Sequence, residues 1–399
     1  MAAPADEPPP PLPADAVVEI LSRLGDTVAI IRCAATCKDW RRLILEPSFL
    51  SHRRAGPSTL LGFFFRDTSQ RLPRRRLYRR RPTRFLLLGP PQPPATAALH
   101  LSRFLPNAAD LRGSAPVASG PGGLLALRRS PASWHGSTKI WVCDPMAGTS
   151  TLLPPLAPTH SSPESFVFLD ADASSFRLLA AMEYPTAPYI LMRIFSSRAG
   201  QWGTAVTAQL PDNMVLFLSS PAVVHRGAVH WICGTRALPN AVHALAVRPH
   251  ETAEASVCRF DLPLRAGMHR LTHSPGAVRL SSSAQGCLSL VLLDEPVISI
   301  WNFQDGATGA NSWVLHKTVY LMSVLPSTIF DDPTAERELS IEALCDQSGS
   351  LFLRAEDECL FVLNLETEMV SKVGDDHCVK YLCPYVPDLS SCLGAMKNF

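Results

Sequence analysis

The sequence predicts a chain that is α+β by content, with a small helical module in front of a mainly-β, repeat-built body. Three observations predict it. Apolar residues recur at helical spacing only near the N-terminus. Short strand-like stretches fill the chain beyond residue 54, and a strand–turn–strand unit returns about every 50 residues. A length of 399 residues suits one large repeat domain plus a small module. A net charge of +2 with 46% hydrophobic residues suits a folded body and argues against wholesale disorder.

Residues 1–11, with Pro8–Pro11 consecutive, read as a disordered or polyproline leader. They carry neither the basic nor the apolar region of a secretory signal, and no apolar run reaches the roughly 18 residues of a membrane span. Eleven cysteines without framework spacing then read as free thiols, which places the chain in the cytoplasm or nucleus. Residues 12–54 read as three helices. Val17, Ile20, Leu21 and Leu24 fall at i, i+3, i+4 and i+7, on one helix face. Pro13 suits a first turn and Gly25 an end; Asp26 and Thr27 can cap a second helix from Val28 to about Thr36. A third runs roughly from Lys38 to Leu45, where Pro47 stops it.

Residues 55–399 read as strands between Pro, Gly, Ser and Asp clusters, among them 60–65, 139–143, 189–195, 241–247, 297–303 and 360–365. The repeating unit is clearest at Ile140, Leu191, His243, Ile298 and Leu360, spaced by 51, 52, 55 and 62 residues. That period is the one expected of kelch-like propeller blades of four strands, about six or seven of them. Trp141, Trp202, Trp231, Trp301 and Trp313 recur with the units and read as core.

Residues 12–50 carry Leu12-Pro13, then Ile20, Leu21 and Leu24, then Cys37 before the basic Lys38–Arg42 segment with Trp40. Leu43, Ile44, Pro47 and Phe49 close the pattern. In this order and spacing the segment resembles an F-box. More loosely, Val224–Trp231, Ile194–Ser197 and Cys383–Asp388 are similar to the propeller-like, F-box-associated C-terminal regions of a large plant F-box family. The resemblance implies a non-catalytic adaptor subunit of a ubiquitin ligase. Leu12, Pro13, Val17, Ile20, Leu21, Leu24 and Ile31 would bind a Skp-type adaptor and, through it, a cullin scaffold, while the β body holds an unidentified target. No cofactor is implied. Independently, three helices in about 40 residues cannot enclose a self-sufficient core, so Leu12, Ile20, Leu21 and Leu24 should dock on another protein, helix against helix. Trp40 reads as internal, and Cys33 and Cys37 as core.

Between Arg66 and Arg84 nine arginines stand against Asp67 alone. Arg74, Arg75, Arg76, Arg79, Arg80, Arg81 and Arg84 read first as a solvated loop, then as a nuclear-import or polyanion-binding segment with Tyr78 as a stacking group. A balanced overall charge argues against nucleic acid as the main partner. Two other classes stay open: a propeller enzyme, which would need paired carboxylates or metal ligands at the channel mouth, and a nucleic-acid-associated regulator. Phosphate-loop, Gly-x-Ser-x-Gly and His-Glu-x-x-His patterns are absent. His269 and His273 sit in loop-like context, and His377, Cys378 and Cys383 lack zinc spacing. Asp331-Asp332, Asp375-Asp376 and Gly120–Gly123 read as turns.

Overall fold

The computed structural model describes residues 12–24, 27–54, 60–67, 82–88, 98–105, 109–129, 138–156, 165–171, 175–183, 188–211, 214–217, 220–235, 242–249, 256–263, 275–282, 286–304, 312–330, 339–355, 359–374, 379–387 and 393. Helix formation begins after Pro13, whose ring holds φ at −57°. Helix α1 spans Ala14–Arg23, with Asp15 in its first turn and Arg23 in its last, both favourable to the helix dipole. Helices α2 (Thr27–Thr36) and α3 (Lys38–Ile44) follow. A fourth helix, α4 (Pro47–Arg54), was not anticipated from the sequence. Pro47 both ends α3 and opens α4, because a first-turn proline loses no intrahelical hydrogen bond.

Val17, Leu21, Ile30, Ala34, Leu43, Ile44 and Phe49 form the core of this module, together with Leu393 from the far end of the chain. Leu393 is fully buried there, and the Arg41 guanidinium donates to its carbonyl at 2.7 Å. The expected boundary between helices and β body therefore has an exception, since the C-terminal segment returns to the helices.

The body is a six-bladed propeller, at the lower end of the expected count. Blade 1 joins β1 (Gly62–Asp67), β2 (Thr83–Leu87) and β3 (Leu99–His100) to the last strand, β26 (Val379–Tyr385), in the order β26-β1-β2-β3. Blade 2 is β4 (Ala115–Ser119), β5 (Leu125–Arg129), β6 (Lys139–Asp144) and β7 (Thr149–Leu152). Blade 3 comprises β8 (Ser165–Ala171), β9 (Phe176–Glu183) and β10 (Tyr189–Ser196), with β11 (Gln201–Trp202) and β12 (Val206–Gln209) both paired to β10. In blade 4, β13 (Met214–Leu216) and β14 (Val223–His225) share β15 (Ala228–Thr235), followed by β16 (Val242–Arg248) and β17 (Ser256–Asp261). Blade 5 is β18 (Val278–Ser282), β19 (Leu288–Asp294), β20 (Val297–Gln304) and β21 (Ser312–Tyr320). Blade 6 is β22 (Leu339–Cys345), β23 (Ser350–Ala355), β24 (Cys359–Asn364) and β25 (Val370–Gly374). Antiparallel pairing of β26 with β1, Gly62 opposite Tyr385, closes the ring with the two ends of the body.

Each blade buries both faces against its neighbours, so the sequence offers apolar runs rather than alternation. Phe63, Phe64 and Phe65 are consecutive and all buried. Phe63 and Phe65 turn to blade 6, where Phe63 meets Phe352 edge-on at 5.3 Å; Phe64 turns to blade 2. One apolar cluster lies at each of the six blade interfaces. Trp141 and Trp231 are buried in two of these, and the half-buried Trp202, Trp301 and Trp313 pack against others. The markers Ile140, Leu191, His243, Ile298 and Leu360 all fall on the third strand of successive blades, β6, β10, β16, β20 and β24.

Candidate functional site

The front of α1 divides its apolar residues between two environments. Val17 and Leu21, one turn apart, face inward and are 7% and 2% exposed. Ile20 lies about 100° around the helix from Leu21 and is 52% exposed, and Leu12, just before the helix, is 62% exposed. Pro13 is exposed, and Leu24 and Ile31 are half-buried. The outward apolar face is thus narrower than the expected docking set, because Val17 and Leu21 supply the module's own core. Trp40 corrects the expectation of an internal residue, being 37% exposed. Leu43 and Ile44 fill the core at the last turn of α3, and Trp40 lies a turn earlier, at the rim. Leu45, just after the end of α3, is also exposed. Cys33 and Cys37 are half-buried rather than core, Cys37 lying at the start of α3.

The second feature is the propeller's central channel, a cavity of about 370 Å³ to which every blade contributes. Ala118, Val167, Val224, Leu280, Leu344 and Leu382, one from each inner strand, illustrate its apolar wall. Gly120 also lines it, so close to Phe168 that a Cβ would come within 2.5 Å of the ring. Pro121–Gly123 is a short turn with Gly122 at φ 71°, as its composition suggests.

Polar groups cluster where the inner strands of blades 4, 5 and 6 end, and of these Ser282 and Asp346 line the cavity. Asp346, directly after β22, accepts from the Ser281 hydroxyl at 2.9 Å and from the Ser282 backbone N–H at 3.2 Å. Ser282 lies 3.4 Å from His225 Nδ1, which makes a hydrogen-bonded belt across three blades. Burial pushes the Asp346 carboxyl up to about 6, against the opposing pull of the Ser282 and Ser281 bonds. His230, whose ring lies 5.9 Å from that of His225, is lowered to about 4 by burial and then by the neighbouring His225 charge. Arg279 is buried and turned between blades, donating to the carbonyls of Val278 at 2.8 Å and of Ile341. Burial pushes the Cys383 thiol up to about 12. Among the described residues, Asp346 is the one carboxylate on the cavity wall, and no group of His, Cys, Asp and Glu is placed to hold a metal. No described helix is long and apolar enough to cross a membrane.

The arginine-rich segment is anchored at both ends in strands rather than forming one loop from 66 to 84. Arg66, on β1, is buried with its guanidinium donating to the Gly113 carbonyl at 3.3 Å, and Arg84 lies on β2. Arg74, Arg75, Arg76, Arg79, Arg80 and Arg81 lie outside the described residues, as do the leader, His269, His273, His377, Cys378 and the pairs Asp331-Asp332 and Asp375-Asp376.

Comparison with known proteins divides the chain in the same way. An F-box-like profile matches residues 11–55, the span of the four helices. A second profile, described as a domain of unknown function (DUF7595), matches residues 92–399. No curated protein matches the chain. Among solved structures, a Lactobacillus plantarum protein aligns at 12% identity and TM-score 0.44, covering 81% of this chain and 83% of that one. A quinonprotein alcohol dehydrogenase-like protein from Bacteroides thetaiotaomicron aligns at 10% identity and TM-score 0.41, covering 82% and 77%. The β-propeller domain of the Trilobed protease from Pyrococcus furiosus aligns at 10% identity and TM-score 0.34, covering 73% and 74%.

Proposed function

This chain belongs to the DUF7595 family, and from that premise we propose that it is the substrate-recognition adaptor of a Skp–cullin–F-box ubiquitin ligase. One observation carries the proposal. The residues that match an F-box-like profile fold into a small helical module that leaves Leu12 and Ile20 in solvent, although it has a core of its own. Exposed aliphatic side chains of this size gain free energy only when another surface covers them. A Skp-type adaptor is the partner that the F-box resemblance supplies, and the cullin scaffold follows through it. The propeller would hold the target, and transfer would be accelerated by raised local concentration of target and ubiquitin-loaded enzyme rather than by a residue of this chain. Such a complex works in the cytoplasm or nucleus.

The exposure of Leu12 and Ile20 leaves each about 1 kcal/mol of burial to gain at a contact. Alanine at either position should weaken Skp-type adaptor binding about fivefold to tenfold. The double variant Leu12→Asp with Ile20→Asp should abolish co-purification with the adaptor, because two carboxylates would be desolvated at the contact. Its propeller should melt at the wild-type temperature, since both positions are remote from the blade cores. Undiminished co-purification of that variant would overturn the adaptor role.

A further inference from the structure

We propose that the propeller channel is a binding pocket for the lysine side chain of a bound polypeptide, with the Asp346 carboxylate as the group that receives the ammonium. The proposal rests on the adaptor reading for the identity of that polypeptide, the ligase target, but the pocket chemistry stands on the channel alone.

Asp346 is partnered by two groups, the Ser281 hydroxyl and the Ser282 N–H, both from blade 5. Among the described residues no cation pairs with it. Arg279, the cationic side chain on the cavity wall, is committed to backbone carbonyls of Val278 and Ile341. A carboxylate has about four acceptor positions, so roughly two remain. These are reachable, because Asp346 lines the cavity and keeps part of its surface open to it. An ionised carboxylate in an apolar enclosure without a counter-charge is unfavourable, and the rise of its pKa to about 6 expresses that cost. A cation entering the channel relieves it.

The walls decide which cation. A divalent metal requires several oxygen ligands at once, and the described wall offers one carboxylate. Val117, Val167, Val224, Leu344 and Leu382, half-buried on the cavity wall, instead present apolar surface to a stem of methylenes, the arrangement in which a lysine stem is covered while its head finds a charged partner. A cavity of about 370 Å³ accommodates a side chain but no folded element.

The test is calorimetric titration of the full chain at pH 7.5 with pentylammonium, with 1-pentanol, and with two acetylated, amidated pentapeptides, Gly-Gly-Lys-Gly-Gly and its norleucine counterpart. Pentylammonium and the lysine peptide should bind about tenfold or more tighter than their neutral counterparts, the discrimination expected of a charge-assisted hydrogen bond. Asp346→Asn should erase the difference; its Oδ1 can still accept from the Ser282 N–H, while its Nδ2 donates to the Ser281 hydroxyl, which reorients to accept. Ser281→Ala, which leaves the charge in place, should retain it. Equal binding of the neutral probes, undiminished ammonium binding by Asp346→Asn, or no binding of any probe would overturn the pocket. Binding of pentylammonium without the lysine peptide would overturn its assignment to a polypeptide. Capture of the Skp-type adaptor by Asp346→Asn, measured in parallel, should match wild type, so failure here is distinct from failure of the adaptor role.

Discussion

Leu21 and Ile20 are neighbours in sequence, and a rotation of about 100° separates a core residue from an exposed one. The helical period identified the apolar stripe but could not apportion it, because only the positions of α2, α3 and the returning Leu393 decide which side is covered. Trp40 was misplaced for a related reason: its size argues for burial, yet a seven-residue helix has its core contacts in one turn only. Asp346 was not singled out in the sequence at all, since a lone aspartate before Gln-Ser-Gly reads as a turn. Its pH signature is directional. The folded carboxyl titrates near 6, against 3.8 for the free group, so the fold binds the proton more tightly than the unfolded chain between those values. Stability from this group is therefore greatest below about pH 4 and is lost as pH rises through 6. His230 acts oppositely: held neutral with its pKa near 4, it contributes above 6.5 and is lost as pH falls toward 4. Comparing Asp346→Asn with wild type cancels the histidine. The variant should melt several degrees higher at pH 7.5, and the gain should shrink to nothing by pH 4; a variant that melts lower at pH 7.5 would contradict a carboxylate without a counter-charge.

At the scale of elements, five third strands were legible from their shared strand-and-turn pattern, because the middle of a blade is packed on both faces and its apolar residues are forced. Inner strands such as β4, β18 and β22 were not read out. Their residues divide between blade interfaces and a channel that tolerates serine, arginine and aspartate, as in Val278-Arg279-Leu280-Ser281-Ser282. The return of the C-terminus to the helices was invisible for another reason. A single leucine 352 residues from its partner leaves no periodicity. Leu393→Ala removes a fully buried side chain from a small core and should cost about 2–5 kcal/mol of local stability. Limited proteolysis should then cut within residues 12–54 at much lower protease concentration, while the propeller remains resistant. Unchanged cleavage would mean that the helices do not need the tail.

The whole molecule is a ring whose first and last strands share a blade, so its stability depends on a contact between the ends of the body. Phe64 stands at that closure, 4.7 Å from the Phe85 ring and 5.1 Å from that of Tyr385 on β26. Phe64→Ala should lower stability by about 3–5 kcal/mol, seen as a lower denaturant midpoint in a single transition; a loss below 1 kcal/mol would show that the closure carries little weight. The two proposed roles also lie on separate parts of the molecule, adaptor docking on the helices and lysine binding in the channel. That separation is tested most directly by amide hydrogen exchange of the full chain with and without a purified Skp-type adaptor. The expected result is new protection confined to residues 12–54, strongest around Leu12 and Ile20, with the six blades unchanged. Protection in the blades, or none anywhere, would contradict the adaptor role.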